Sequence, residues 1–184
     1  YDELTDFFEF IKTQPYEKVL KMATQLTINN LSPENSELWD KIALNPETIT
    51  LAEAIKKELC TCFHRSVFFN LLMQQCGIES VTLEGRVIET NVDKLTQLPK
   101  LAPLMDKSTL GLSEDDFVDH HLWNIIAYQG QFYLIDTAFL VDGKPIIAEV
   151  EFDNEARNTF TIKLPNGKYR HYLASGTLTI EENI

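Results

Sequence analysis

The sequence predicts an α+β domain, helical in its first part and built on a mostly antiparallel sheet after that. Three observations carry this expectation. Apolar residues recur at helical spacing up to Gly77 and alternate beyond it. The strand-like segments that follow are joined by short turn signals rather than by crossover helices. A chain of 184 residues with 44% hydrophobic content is long enough to bury one real core.

The elements follow in order. Leu4, Phe7, Phe8 and Ile11 share a helical face. Pro15 restarts the chain, and Tyr16, Val19, Leu20, Ala23 and Leu26 form a second face. Ser32-Pro33 is a helix-start signal for a short helix with Leu38, Trp39 and Ile42 on its apolar side. Thr50 with Glu53 three residues on is a capping box, opening a helix through Ala54, Ile55 and Leu59. A long helix then runs from about Cys62 to Cys76, with Gly77 at the C-terminal stop. After it, ESVTLEGRVI, LWNIIAY and QFYLIDTAFLV read as strands, the last two joined by a hairpin at Gln129-Gly130. PIIAEVEF, TFTIKL, KYRHYL and TLTI continue the pattern, with a turn at Pro165-Asn166-Gly167. Residues 90–119 break it with Pro99, Pro103 and the acidic run Glu114-Asp115-Asp116, and are read as an insertion or lid. The expected organisation is one catalytic domain over 1–184, helical over 1–77 and sheet over 78–184.

Composition narrows the partners. The net charge is −12, with no basic stripe, which argues against nucleic acid and against acidic membrane lipids. The acidity is read as serving solubility. No apolar run approaches the ~18 residues of a membrane-spanning helix, and the opening YDELTDFFEF lacks the pattern of a signal peptide. Three cysteines, an odd number, favour free thiols and a reducing compartment such as the cytoplasm. Cys60, Cys62 and His64 offer three zinc-type ligands, but no second Cys/His pair stands at zinc-ribbon spacing. Neither a metal nor a cofactor is expected.

The chemistry concentrates on Cys62, His121 and Asp136. A thiol at a helix start meets the unpaired N–H groups and the positive end of the dipole, which stabilise a thiolate and an oxyanion. An imidazole nearby takes the thiol proton and returns it to the leaving group. A carboxylate on its other nitrogen holds the tautomer. Positions mirrored about Gln129-Gly130 bring His121 and Asp136 near-opposite on adjacent strands. Cys60 competes with Cys62, and His120 with His121. Alternation puts His121, Trp123 and Ile125 on one face, so Trp123 is expected to line a substrate cleft, and Asn124 to satisfy backbone groups behind it. Cys76 and His171 are read as structural.

These residues resemble the transglutaminase-like superfamily, a papain-related Cys-His-Asp group. Cys62 is followed by Ser66, Phe69, Leu72, Gly77 and Ile78 at the places where that family carries a small residue, apolar residues and Gly-Ile. His121-Leu122-Trp123-Asn124 and Asp136-Thr137-Ala138 stand where it carries its His-Ala-Trp-Asn and Asp stretches. The match covers about residues 60–88 and 120–140, and selects Cys62 and His121 over their neighbours. His64-Arg65 replaces the family's Gly-Tyr, and the segment from Gly85 to His121 is long. The segments CFHRSVFFNLL, LEGRV and YLIDTAF also resemble arylamine N-acetyltransferases, although Glu58-Leu59-Cys60-Thr61 replaces the Arg-Gly-Gly of that family.

The resemblance implies a papain-like cysteine-enzyme fold. It also implies amide cleavage or acyl transfer through a thioester on Cys62, of protease, deamidase or transglutaminase type, on a protein or peptide substrate. The alternatives are an acetyl-coenzyme A-dependent N-acetyltransferase and a catalytically inactive binding domain. A bacterial effector working in a host cytosol fits the same reading. Oligomeric state is left open.

Overall fold

The computed structural model describes residues 8–31, 51–52, 60–91, 93, 117–151 and 159–175. Among the described residues, two long helices, α1 (Tyr16–Asn30) and α2 (Cys62–Gln75), accompany six strands. The strands are β1 (Ser80–Thr90), β2 (Phe117–Tyr128), β3 (Gln131–Val141), β4 (Lys144–Val150), β5 (Thr159–Lys163) and β6 (Tyr169–Ala174). They hydrogen-bond in the order β4-β3-β2-β1-β6-β5, and the pairs β2–β3, β1–β6 and β5–β6 are antiparallel. This mixed architecture is compatible with the α+β expectation. The expected helix over Leu38–Ile42, the Thr50–Glu53 capping box, nearly all of the 90–119 insertion and the TLTI strand lie outside the described residues.

By its contacts the chain divides into two compact units: residues 1–82 with 122–147, and residues 83–121 with 148–184. The first is a helical layer on strands. Ile11, Val19, Leu20 and Ala23 pack with Phe69, Leu72 and Met73 of α2 and with Ile126 and Ile135 of β2 and β3. The apolar spacing of α1 thus does what its period predicts, with Tyr16 and Leu26 packed at the margin of the cluster. Tyr16 also stacks on Tyr128 with ring centroids 3.5 Å apart, tying the start of α1 to the hairpin.

Turn chemistry sets the registers. In the β2–β3 hairpin Tyr128 faces Gln131 across Gln129 and Gly130, both at positive φ, as a two-residue turn matched to strand twist requires. Asp142-Gly143 between β3 and β4 repeats this conformation. At the other end of α2, Gly77 adopts φ +71°. The Ile78 N–H reaches the Met73 carbonyl and the Gly77 N–H that of Gln74. This is the Schellman pattern, which ends the helix and aims the chain into β1.

The second unit pairs β1 with β6 from Gly85↔Ala174 to Thr90↔Tyr169, and β5 with β6 from Thr159↔Leu173 to Lys163↔Tyr169. Gly85 is required there: a Cβ would lie 1.9 Å from the Leu173 carbonyl oxygen. Val87, Ile88, Phe160, Ile162 and Tyr172 are buried around polar side chains with defined partners. His171, fully buried, meets the Thr90 hydroxyl at Nε2 (2.8 Å) and the Thr161 hydroxyl at Nδ1 (2.9 Å). Arg170 donates from Nε and Nη2 to one Glu89 oxygen, at 2.8 and 2.6 Å.

Candidate active site

Cys62 is the first residue of α2, with Thr61 as N-cap in extended conformation. The cap is reciprocal. Thr61 and His64 stand in capping-box spacing, and the Thr61 N–H donates to His64 Nδ1 at 3.2 Å. Accepting there leaves the proton of a neutral His64 ring on Nε2. His64 is 1% exposed and holds the helix start in place. The Thr-x-x-His spacing was readable in the sequence as a capping box with an unusual fourth member.

The three thiols separate by environment. Cys60 is buried in a cluster with Leu31, against which Leu51 and Phe68 pack. Cys76 is the C-cap of α2, and burial pushes its thiol up, the Lys12 ammonium partly offsetting this. Only Cys62 combines a helix N-terminus with partial exposure. Among the described residues, no group of three or more His, Cys, Asp or Glu is placed to hold a metal ion. No described helix is long and apolar enough to cross a membrane.

The two histidines of β2 separate as well. His120 is exposed, sits at φ +54° and places Nδ1 3.3 Å from Glu84 Oε1. His121 is 4% exposed. A non-glycine residue at positive φ within a strand is uncommon, and such kinks re-aim the neighbouring side chain. His121 closes the second unit's share of β2, whereas Cys62 and Asp136 belong to the first unit.

On the first unit's strands, the register Asn124↔Ile135 and Ile126↔Tyr133 assigns the two faces. Ile126, Tyr133 and Ile135 face the helices. Asn124 does too: its Nδ2 donates to the Ser66 carbonyl at 3.1 Å and to the Thr82 hydroxyl at 3.0 Å. The backbone-satisfying role expected of Asn124 is therefore the one its contacts describe. Alternation gives Ile125 and Leu134 to the opposite face, and both are buried, as are Trp123 and Asp136. Trp123 is fully buried, an environment that packing accounts for. Asp136, also fully buried, accepts at Oδ1 from the N–H groups of Ala138 (3.0 Å) and Phe139 (2.9 Å).

Arg65 completes the helix start. It is 1% exposed, with Nε and Nη2 on the Leu31 carbonyl (2.9 and 2.8 Å) and Nη1 on the carbonyl of Thr137. In the sequence it appeared only as a departure from a family pattern; no local spacing announces a guanidinium that reaches 34 and 72 residues away along the chain. No protein-family model matches this chain, and no curated protein matches it.

Proposed function

We propose that this chain is a cysteine-dependent enzyme of transglutaminase-like fold that cleaves or transfers an acyl group through a thioester on Cys62. What supports this reading is the placement of Cys62: first residue of a capped helix, partly exposed, while Cys60 is core and Cys76 closes the other end. In the reaction, the Cys62 sulfur adds to an amide carbonyl carbon as the thiol proton passes to His121. The oxyanion that forms is stabilised by the N–H groups and dipole of the first turn of α2. His121 then returns the proton to the departing amine or ammonia, leaving the thioester. Water or a second amine adds to that carbonyl with His121 as base and regenerates the thiol. Asp136, held by two backbone N–H groups, orients the imidazole and steadies its cation. The substrate class is a protein or peptide amide.

The test is competitive alkylation with sub-stoichiometric iodoacetamide near neutral pH, mapped by peptide mass, together with intact mass after exposure to p-nitrophenyl acetate. Cys62 is expected to take both labels first, and His121→Ala to remove most of its advantage. Equal labelling of all three cysteines in the folded protein would refute the enzyme reading. Rapid, selective labelling of Cys62 by acetyl-coenzyme A would move the assignment to acetyl transfer.

A further inference from the structure

We propose that Arg65 is a positioning residue of the Cys62 site. It acts in two ways: its fork fixes the first turn of α2, and it carries a buried cation on the turn of helix that begins at Cys62. The proposal rests on the reading of Cys62 as nucleophile. Three observations point to it. Arg65 follows Cys62 by three residues on α2, so the two side chains leave neighbouring positions on the helix surface. Its guanidinium is buried and bonded to carbonyls of two chain segments that converge on the helix start, Leu31 and Thr137. Thr137 directly follows Asp136, so the same group anchors the backbone that carries the proposed carboxylate. Among the described residues, no carboxylate forms an ion pair with Arg65. The charge of a guanidinium is permanent, and burial limits its screening by salt. It adds to the positive end of the helix dipole at the place where a thiolate and then an oxyanion develop.

Charge and geometry are separable by experiment. Lysine at position 65 keeps the charge but cannot bridge two carbonyls as a planar fork; glutamine keeps neither. The readout is the rate ratio of iodoacetate to iodoacetamide at Cys62, mapped by peptide mass at one fixed pH. The thiolate fraction is common to both reagents and cancels, so the ratio reports the local potential. The net charge of −12 repels the anionic reagent on average, so a ratio above that of the urea-unfolded chain signals a local cation.

The folded wild-type protein is expected to exceed its unfolded chain in this ratio by about tenfold, the scale of a unit charge within roughly a Debye length at moderate effective dielectric. Arg65→Gln is expected to abolish the excess and Arg65→Lys to keep a large part of it, each variant checked for folding by circular dichroism. If both variants unfold, the ratio in His121→Ala decides: that variant lacks the imidazolium, the helix dipole alone supplies at most about fivefold, and an excess no larger than that overturns the proposal. A ratio that does not rise on folding, or an Arg65→Gln protein that folds and keeps the wild-type ratio, overturns the proposal. If Cys62 reacts with iodoacetamide no faster than Cys60 and Cys76, the enzyme reading fails and takes this inference with it. A fast Cys62 with a ratio indifferent to Arg65 removes this inference alone.

Discussion

Replacing Asn124 with alanine tests how β2 is fastened to the helix that carries Cys62. The amide makes two hydrogen bonds, a buried one of 3.1 Å to the Ser66 carbonyl and a part-buried one of 3.0 Å to the Thr82 hydroxyl. Each is worth about 1 kcal/mol net, and truncation leaves a small void in a fully buried position. The expected loss is about 2–3 kcal/mol. For a chain of this size one kcal/mol moves the melting temperature by about 2–4 °C, so Asn124→Ala should melt roughly 5–10 °C below wild type. Urea unfolding should show the same loss as a lower midpoint with an unchanged slope. Asn124→Asp sharpens the test. Oδ1 of Asn124 is buried with no hydrogen-bond partner among the described residues, so a carboxylate there is desolvated without compensation. Its folded titration is raised above the usual ~4 of an unfolded aspartate. The stability it permits is thus present below about pH 4 and lost as pH rises through the folded value. Asn124→Asp should melt below Asn124→Ala at neutral pH, with the gap narrowing on acidification. A melting temperature for Asn124→Ala within ~2 °C of wild type would refute the fastening argument.

Three further outcomes are expected. Gly85→Ala should destabilise the β1–β6 pairing severely, by several kcal/mol, because the new methyl meets backbone at 1.9 Å and nothing flexible can yield; hydrogen exchange over residues 85–90 and 169–174 would show whether protection is lost there. Phe69→Ala empties a fully buried site at the centre of the helix–sheet core and should cost about 3–5 kcal/mol in chemical denaturation. Cys76, its thiol raised by burial, should alkylate more slowly at about pH 8 than a cysteine of the unfolded chain. The stability linked to it is present below the ordinary ~8.5 and lost as pH climbs through the raised value, so Cys76→Ala should flatten the alkaline limb of a stability–pH curve.

Much of the fold was legible because its cues are local. Pro15 before α1, Gly77 after α2, Gln129-Gly130 and Pro165-Asn166-Gly167 each fix backbone geometry within a few residues. The start of α2 at Cys62 was readable for the same reason. The faces of the central strands were harder. Residues 123–126 and 134–137 are buried on both sides, so the polar alternation that marks a one-sided strand fades. Asn124 and Asp136 stand out there only as polar residues in an apolar run.

The sequence by itself determined where α1 and α2 begin and end, the turns at Gln129-Gly130 and Pro165-Asn166-Gly167, the change from helical to strand period after Gly77, and the candidacy of Cys62, His121 and Asp136. Between Cys60 and Cys62 it favoured Cys62, by the helix start and by resemblance. Tertiary structure separates their environments, burying Cys60 against Leu31 and leaving Cys62 partly exposed at a helix start. It also gave His64 to a cap, His171 to two threonines and Arg65 to two distant carbonyls. The reason is physical. Propensity, capping and turn chemistry act over a handful of residues, whereas the burial of a polar group and the choice of its partner depend on segments that only folding brings together.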